Sequence, residues 1–315
     1  MKRAYWMTGV LCGVSFFASA QFKPTHVPEN ATWIAQLDAK ALRKSATGAL
    51  VLQLLDDGAL RQIAAVQAAT GLNLTNDIDT VVLFGNGNTQ SNAVLSLYGR
   101  FDSARISTLL GAAKDFQNQA LGNLSLLSWT DNGQQVNLCF VDPTHAVLSR
   151  DKKAATEAVK QAAAPAGAVN AALQKVLTPA PGRFLALQMN NVADFVADNQ
   201  QLVILKSADA LVLELMEADG SDAIEGAVML KVGDVEQATQ LQQILLGLQA
   251  LLTMQAKENP EIAALAQQIK VDCKEQFVRL NVRLPQQTLK QMIDGQKAKR
   301  KPPAAANKTP PPELR

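Results

Sequence analysis

Short apolar runs broken by Gly, Asn, Asp and Ser alternate along the chain with segments whose apolar residues recur every three or four positions. The first pattern predicts strands and the second amphipathic helices. The clearest unit is residues 79–117. The apolar run Val81 to Phe84 enters the turn pair Asn86-Gly87, a second run from Ala93 to Phe101 returns, and Asp102 or Ser103 caps a helix with Ile106, Leu109, Leu110, Ala113 and Phe116 on one face. The unbroken run at 81–84 predicts a strand buried on both faces. The same plan recurs at residues 209–252, where strands at 209–217 and 223–232 flank Asp219-Gly220-Ser221 and a helix follows Asp234.

Around the first unit, Thr32 to Leu37 reads as a strand and Asp38 as the cap of a helix from Ala39 to about Asp57. Gly58 is expected to break that helix, with a second helix running to Thr70. A hairpin at 124–130 and 135–141 turns at Asp131-Asn132-Gly133; a strand at 146–148 and helices at 151–163 and 167–177 follow. Around the second unit come a strand at 183–188, a helix at 192–206, and helices at 235–257 and 260–268. Strands at 269–274 and 276–284 and a helix at 286–294 complete it. Each half thus reads β-α-β-β-α-β-β-α. The predicted class is α+β, with two similar halves, each a mainly antiparallel sheet packed by helices on one face in a split βαβ-like layout.

The ends add a destination. Lys2 and Arg3, the apolar stretch Tyr5 to Phe17, and the small residues Ala18 and Ala20 form a signal-peptide pattern with cleavage near Ala20. That apolar stretch is short of the roughly 20 residues a membrane-spanning helix needs, and no later stretch is long and apolar enough to span. The expected organisation is a signal peptide (1–20), a polar lead-in (21–31), a first half (32–178), a second half (179–295) and a disordered, basic, Pro-rich tail (296–315). The expected location is periplasmic or secreted. Residues 21–295 hold 22 basic and 27 acidic residues, a net of −5, while the tail carries +5. An acidic body argues against nucleic-acid binding, and the tail is suited to anionic surfaces. Cys139 and Cys273, one in each half, are candidates for a disulfide in an oxidising compartment.

Catalytic motifs are scarce. Asp142, His145 and Ser149 fall within eight residues, but on a strand positions 145 and 149 stand about 13 Å apart. There is no G-x-S-x-G elbow and no H-E-x-x-H; the two histidines are His26 and His145. Gly85-Asn86-Gly87 lacks the third glycine of a dinucleotide loop and enters a strand. Asp219, Ser221 and Asp222 lack the glutamate of a calcium loop. Asp56-Asp57 and the pair Glu214 and Glu217 remain as carboxylates for acid/base work. No cofactor is implied. The helix at 235–257 carries Leu241, Ile244, Leu245, Leu248, Leu251 and Leu252 on one face, and Gln237, Gln240, Gln242, Gln243 and Gln249 offer a polar partner face.

The stretches TWIAQLDAKALRKSATGALVLQLL, IDTVVLFGNGN and AVLSLYGRFDSARISTLL together resemble a group of exported bacterial proteins built of tandem α+β halves. The resemblance implies an architecture and no catalytic residues. The expectation is an exported, non-enzymatic protein that binds another envelope component, a protein or polymer. The alternatives are a carrier holding an apolar small molecule between sheet and helices, and a hydrolase using dispersed carboxylates.

Overall fold

The computed structural model describes residues 22–52, 57–87, 92–164, 168–178, 180–196, 200–218, 223–254, 265–291 and 294. The signal peptide with Ala18 and Ala20, the basic tail, and the turn at 219–222 lie outside them.

Among the described residues, twelve strands form one antiparallel sheet. They are β1 (Trp33–Asp38), β2 (Ile78–Gly85), β3 (Val94–Gly99), β4 (Gln117–Leu121), β5 (Leu124–Asp131), β6 (Gln134–Asp142), β7 (His145–Ser149), β8 (Arg183–Asn190), β9 (Ala208–Glu217), β10 (Ala223–Val232), β11 (Ile269–Lys274) and β12 (Phe277–Pro285). Their spatial order is β11-β12-β10-β9-β8-β1-β2-β3-β7-β6-β5-β4. Strands from before and after residue 179 therefore join in one sheet. The join is β1 against β8, with Trp33 opposite Met189 and Leu37 opposite Leu185.

Helices cover both faces, which corrects the expectation of a single helical layer. On one face α5 (Lys152–Ala163), a 3-10 turn at Ala171–Leu173 and α6 (Gln174–Leu177) pack on Ile34, Val82, Phe84, Val94, Tyr98, Cys139 and Val147. On the other, α4 (Ser103–Leu110) packs by Ile106 and Leu110 on Leu127, Leu138 and Ala146. Farther along that second face, α7 (Val192–Val196) and α8 (Val235–Met254) cover Leu230, Val232 and Val278. The cause is visible in the strands, whose alternate positions are apolar in both directions, so each face needs a cover.

Several boundaries differ from expectation. The helix foreseen from Ala39 to Asp57 is interrupted at Ser45, giving α1 (Ala39–Lys44) and α2 (Ala46–Leu52). The Ser45 hydroxyl donates to the Leu42 carbonyl and accepts from Gly48 N, so it satisfies groups that the helix ladder would otherwise use. Gly58 does not break a helix; it lies inside α3 (Asp57–Thr70). The helix capped by the Asp102 carboxylate stops at Leu110, and polar β4 follows. The segment 192–206 divides into α7 and a 3-10 stretch at Gln200–Ser207.

The proposed disulfide does not form. Cys139 on β6 and Cys273 on β11 are both free. Nine strand spacings separate β6 from β11, at about 4.8 Å each along the sheet, against a Cα separation of about 6 Å that a disulfide requires. Burial pushes the Cys139 thiol up to about 11, so it stays protonated and unreactive.

Candidate functional site

The central strands present unlike faces. Along β2 burial alternates strictly from Ile78 to Phe84, with Ile78, Thr80, Val82 and Phe84 buried and the residues between them half-buried. This corrects the expectation that the run 81–84 is enclosed on both sides. Of the half-buried set, Asp79 pairs with Arg43 of α1 at 3.0 Å, while Leu83 faces a trough beside α7. There Trp33 and Ala35 of β1, Leu83 of β2, Leu95 of β3, Leu148 of β7, and Leu187 and Met189 of β8 line a trough of about 960 Å³. Phe195 and Asp194 of α7 border it, as does Arg150 just past β7. That volume and an apolar lining with a few polar groups at the rim match small-molecule sites in general.

One end of the trough is built with care. The Trp33 indole N–H donates to the Gly87 carbonyl at 3.0 Å, and Gly87 N donates to the Thr32 hydroxyl at 3.0 Å. A Cβ at Gly85 would come within 2.8 Å of the Trp33 ring, so only glycine lets the indole lie flat there. Gly87 holds a positive φ of 71°, which turns its carbonyl toward the indole. The Gly85-Asn86-Gly87 segment thus positions an aromatic side chain at the end of β2.

On the opposite face lies a buried polar stack that sequence reasoning missed. His26, in a 3-10 turn at Pro24–His26, and His145 of β7 lie with rings parallel, centroids 5.0 Å apart. Tyr98 of β3 stacks on His145 at 4.3 Å, and Phe22 meets the Tyr98 ring edge-on at 5.6 Å. The Tyr98 hydroxyl lies 3.0 Å from His26 Nδ1, and the Ser96 hydroxyl 2.7 Å from His145 Nε2. Burial pushes His145 down to about 4; the neighbouring His26 adds to this, and Asp142 opposes it. His26 is lowered too, by burial and then by Lys23. Burial likewise raises Tyr98. The serine that meets His145 is therefore Ser96, from the adjoining strand, and not Ser149, whose hydroxyl donates to the Ala93 carbonyl. Ser96 and His145 are 2% and 1% exposed, so no substrate reaches this pair and it is no nucleophile–base site. The only hint in the sequence is that both histidines of the chain belong to it.

The glutamines foreseen as a partner face divide. Gln249 Nε2 donates to the Ala266 carbonyl at 2.9 Å and the Ile269 carbonyl at 2.7 Å, and Gln242 Nε2 to the Val271 carbonyl at 3.4 Å. Both are turned inward. Gln237, Gln240 and Gln243 are exposed; Gln237 Oε1 accepts from Gly233 N just ahead of α8, and Gln240 Nε2 donates to Glu236 in its first turn. Ile244, Leu248 and Leu251, read as part of the inward stripe, are exposed instead, as is Met254. The candidate carboxylates do not converge. Glu214 forms a 2.8 Å ion pair with Arg183, and Glu217 accepts from Ala46 N at 3.0 Å. Asp56 lies outside the described residues. Among the described residues no group of three or more His, Cys, Asp or Glu could hold a metal ion, and no helix is long and apolar enough to cross a membrane.

No family model matches the chain, and no curated protein matches it in sequence. Its fold is similar to that of TP0453. Crystal form III of that protein superposes with a TM-score of 0.51 at 10% identity, covering 88% of this chain and 99% of that one. Crystal form I gives a TM-score of 0.49 at 10% identity, covering 88% and 98%. At this identity the likeness speaks for the fold alone.

Proposed function

We propose that this is an exported, non-enzymatic binding protein of the cell envelope, and that its trough receives the apolar part of an envelope ligand. The observation that carries the reading is the row of half-buried large side chains, Trp33, Leu83, Leu95, Leu187 and Met189, which no other element among the described residues covers. Apolar area of this kind is stabilised by about 25 cal/mol for each Å² taken from water, so an occupant with an acyl or ring system gains most. Export rests on the N-terminal pattern, and the repeat reading on the strand order: β1-β2-β3 and β8-β9-β10 run outward in the same sequence from the central pair.

The test uses the Trp129→Phe chain beginning at Gln21, in which Trp33 is the sole tryptophan. A brominated fatty acid titrated into it should quench Trp33 fluorescence saturably, and Leu95→Arg or Leu187→Arg should abolish that quenching without unfolding the chain. Unquenched Trp33 at saturating probe refutes apolar-ligand binding. Recovery of the unprocessed chain from the cytoplasm on fractionation refutes export.

A second reading, docking of a partner protein, is favoured by the outward row Ile244, Leu248, Leu251 and Met254 on α8. Loss of co-purifying protein in an Ile244→Lys, Leu251→Lys variant that still quenches Trp33 separates it from the first.

A further inference from the structure

The lead-in, residues 22–27, is docked on the sheet by the aromatic stack and by α5. Phe22 packs on Tyr98, His26 on His145, and Val27 is fully buried. From α5 the Gln161 side-chain amide donates to the Thr25 carbonyl at 2.9 Å. We propose that the stacked pair His26 and His145 is an acid-released latch, which holds residues 22–27 on the sheet at neutral pH and frees them when the imidazoles take up protons.

The geometry gives the reason. His145 Nδ1 is buried with no hydrogen-bond partner among the described residues. In the neutral ring that nitrogen can stand as a bare acceptor. Protonation turns both ring nitrogens into donors, and a charged N–H with nothing to donate to is costly in a desolvated site. A parallel imidazole 5.0 Å away cannot share the charge, and two imidazolium rings there would repel. Each other group facing the stack has a settled role. Tyr98 is held protonated by burial. Ser96 is bonded to Nε2. Asp142 of β6 accepts from Thr144 N and the Thr144 hydroxyl through one oxygen, and is the one carboxylate that eases protonation. Lys23 of the segment itself opposes protonation. Glu157 and Lys160 of α5 are exposed, and its contact Gln161 is neutral. The depressed affinity of both rings for protons agrees with this balance. Opening the segment relieves the penalty by letting water reach both rings.

Hydrogen exchange followed by mass spectrometry on the chain beginning at Gln21 tests the latch. Corrected for intrinsic rates, protection of residues 22–27 should fall about ten-fold or more between pH 7.5 and 4.5, while β5 and β6 keep theirs. His26→Gln combined with His145→Gln, in which neither position can charge, should leave protection nearly independent of pH over that range. Constant protection in the unsubstituted chain overturns the proposal, and so does loss of protection only together with the strands. If that double variant does not fold, an NMR titration of the two histidines in the unsubstituted chain decides. Both should protonate below pH 6.5 and together with release of the segment; protonation of either ring with the segment still protected overturns the latch.

Discussion

The two faces of β1, β2 and β3 are made from neighbouring residues and end in different states. On one face Ile34, Val82, Phe84, Val94 and Tyr98 are sealed under α5, α6 and the lead-in. On the other Trp33, Ala35, Leu83 and Leu95 reach only half-burial, because α4 and α7 stand to either side and leave the centre open. The side chains are equally apolar, so composition does not set the difference. The placement of covering elements does. A strand that is apolar in both directions states a demand for two covers, and the described residues supply one and leave room for the other.

Substitutions at adjacent residues put the contrast to its hardest test. Phe84→Ala on the sealed face should cost about 3–5 kcal/mol, whereas Leu83→Ala on the open face should cost about 1 kcal/mol or less, read as the difference in urea midpoints at constant m. Equal costs would mean that the trough is closed. Next in size is the acid response of the sealed face. The folded-state value of His145, about 4, lies below its ordinary 6.5. The unfolded chain therefore binds the proton first as pH falls. The stability contributed is complete above about 6.5 and is lost progressively down to about 4, amounting to about 3 kcal/mol. Denaturation midpoints at pH 7.5, 5.5 and 4 measure it, and His145→Gln should flatten the curve.

Within α8 the same logic gives a smaller effect. Gln249→Ala leaves the Ala266 and Ile269 carbonyls without their donor and should cost about 1–2 kcal/mol. Gln243→Ala, on solvent, should change stability by about 0.5 kcal/mol or less. The smallest pair compares the caps of the two faces. Asp151 on α5 and Asp102 on α4 each accept from a backbone N–H three residues on. Alanine at either should cost about 1 kcal/mol.

The alternation of apolar runs with turn residues located most strands and the capping aspartates, because those features are written locally. β4 was not legible. Its sequence, QNQAL, has no apolar period, and it is a strand because β5 offers it an edge. The interruption at Ser45 depends on hydrogen bonds to Leu42 and Gly48 that a periodic stripe does not reveal. The inward turn of Gln242 and Gln249 depends on bare carbonyls at 266, 269 and 271, on a strand and helix end far along the chain. For the candidate site, the lining residues were visible as apolar strand positions, but the gap over them was not. A gap is the absence of a covering element, and it emerges only once α4 and α7 have been placed. The histidine stack joins residues 119 positions apart across a sheet whose order the sequence did not disclose.

The position of β1 has a consequence for how the molecule is assembled. It is the first strand among the described residues, yet it stands in the middle of the sheet with β2 on one side and β8 on the other. Its partner on the second side is not available until the segment beginning at Arg183 has arrived. Until then the backbone groups of Trp33–Asp38 facing β8 form a bare edge at the centre of the future fold, the kind of edge that templates pairing between chains. Closing the gap is a long-range event, slow by nature, and during that interval β8 from a second molecule is as good a partner as β8 from the same one. Exchange of β8 and the strands beyond it between two chains is thus the misassembly this strand order invites, and a refolding yield that falls as protein concentration rises is its signature.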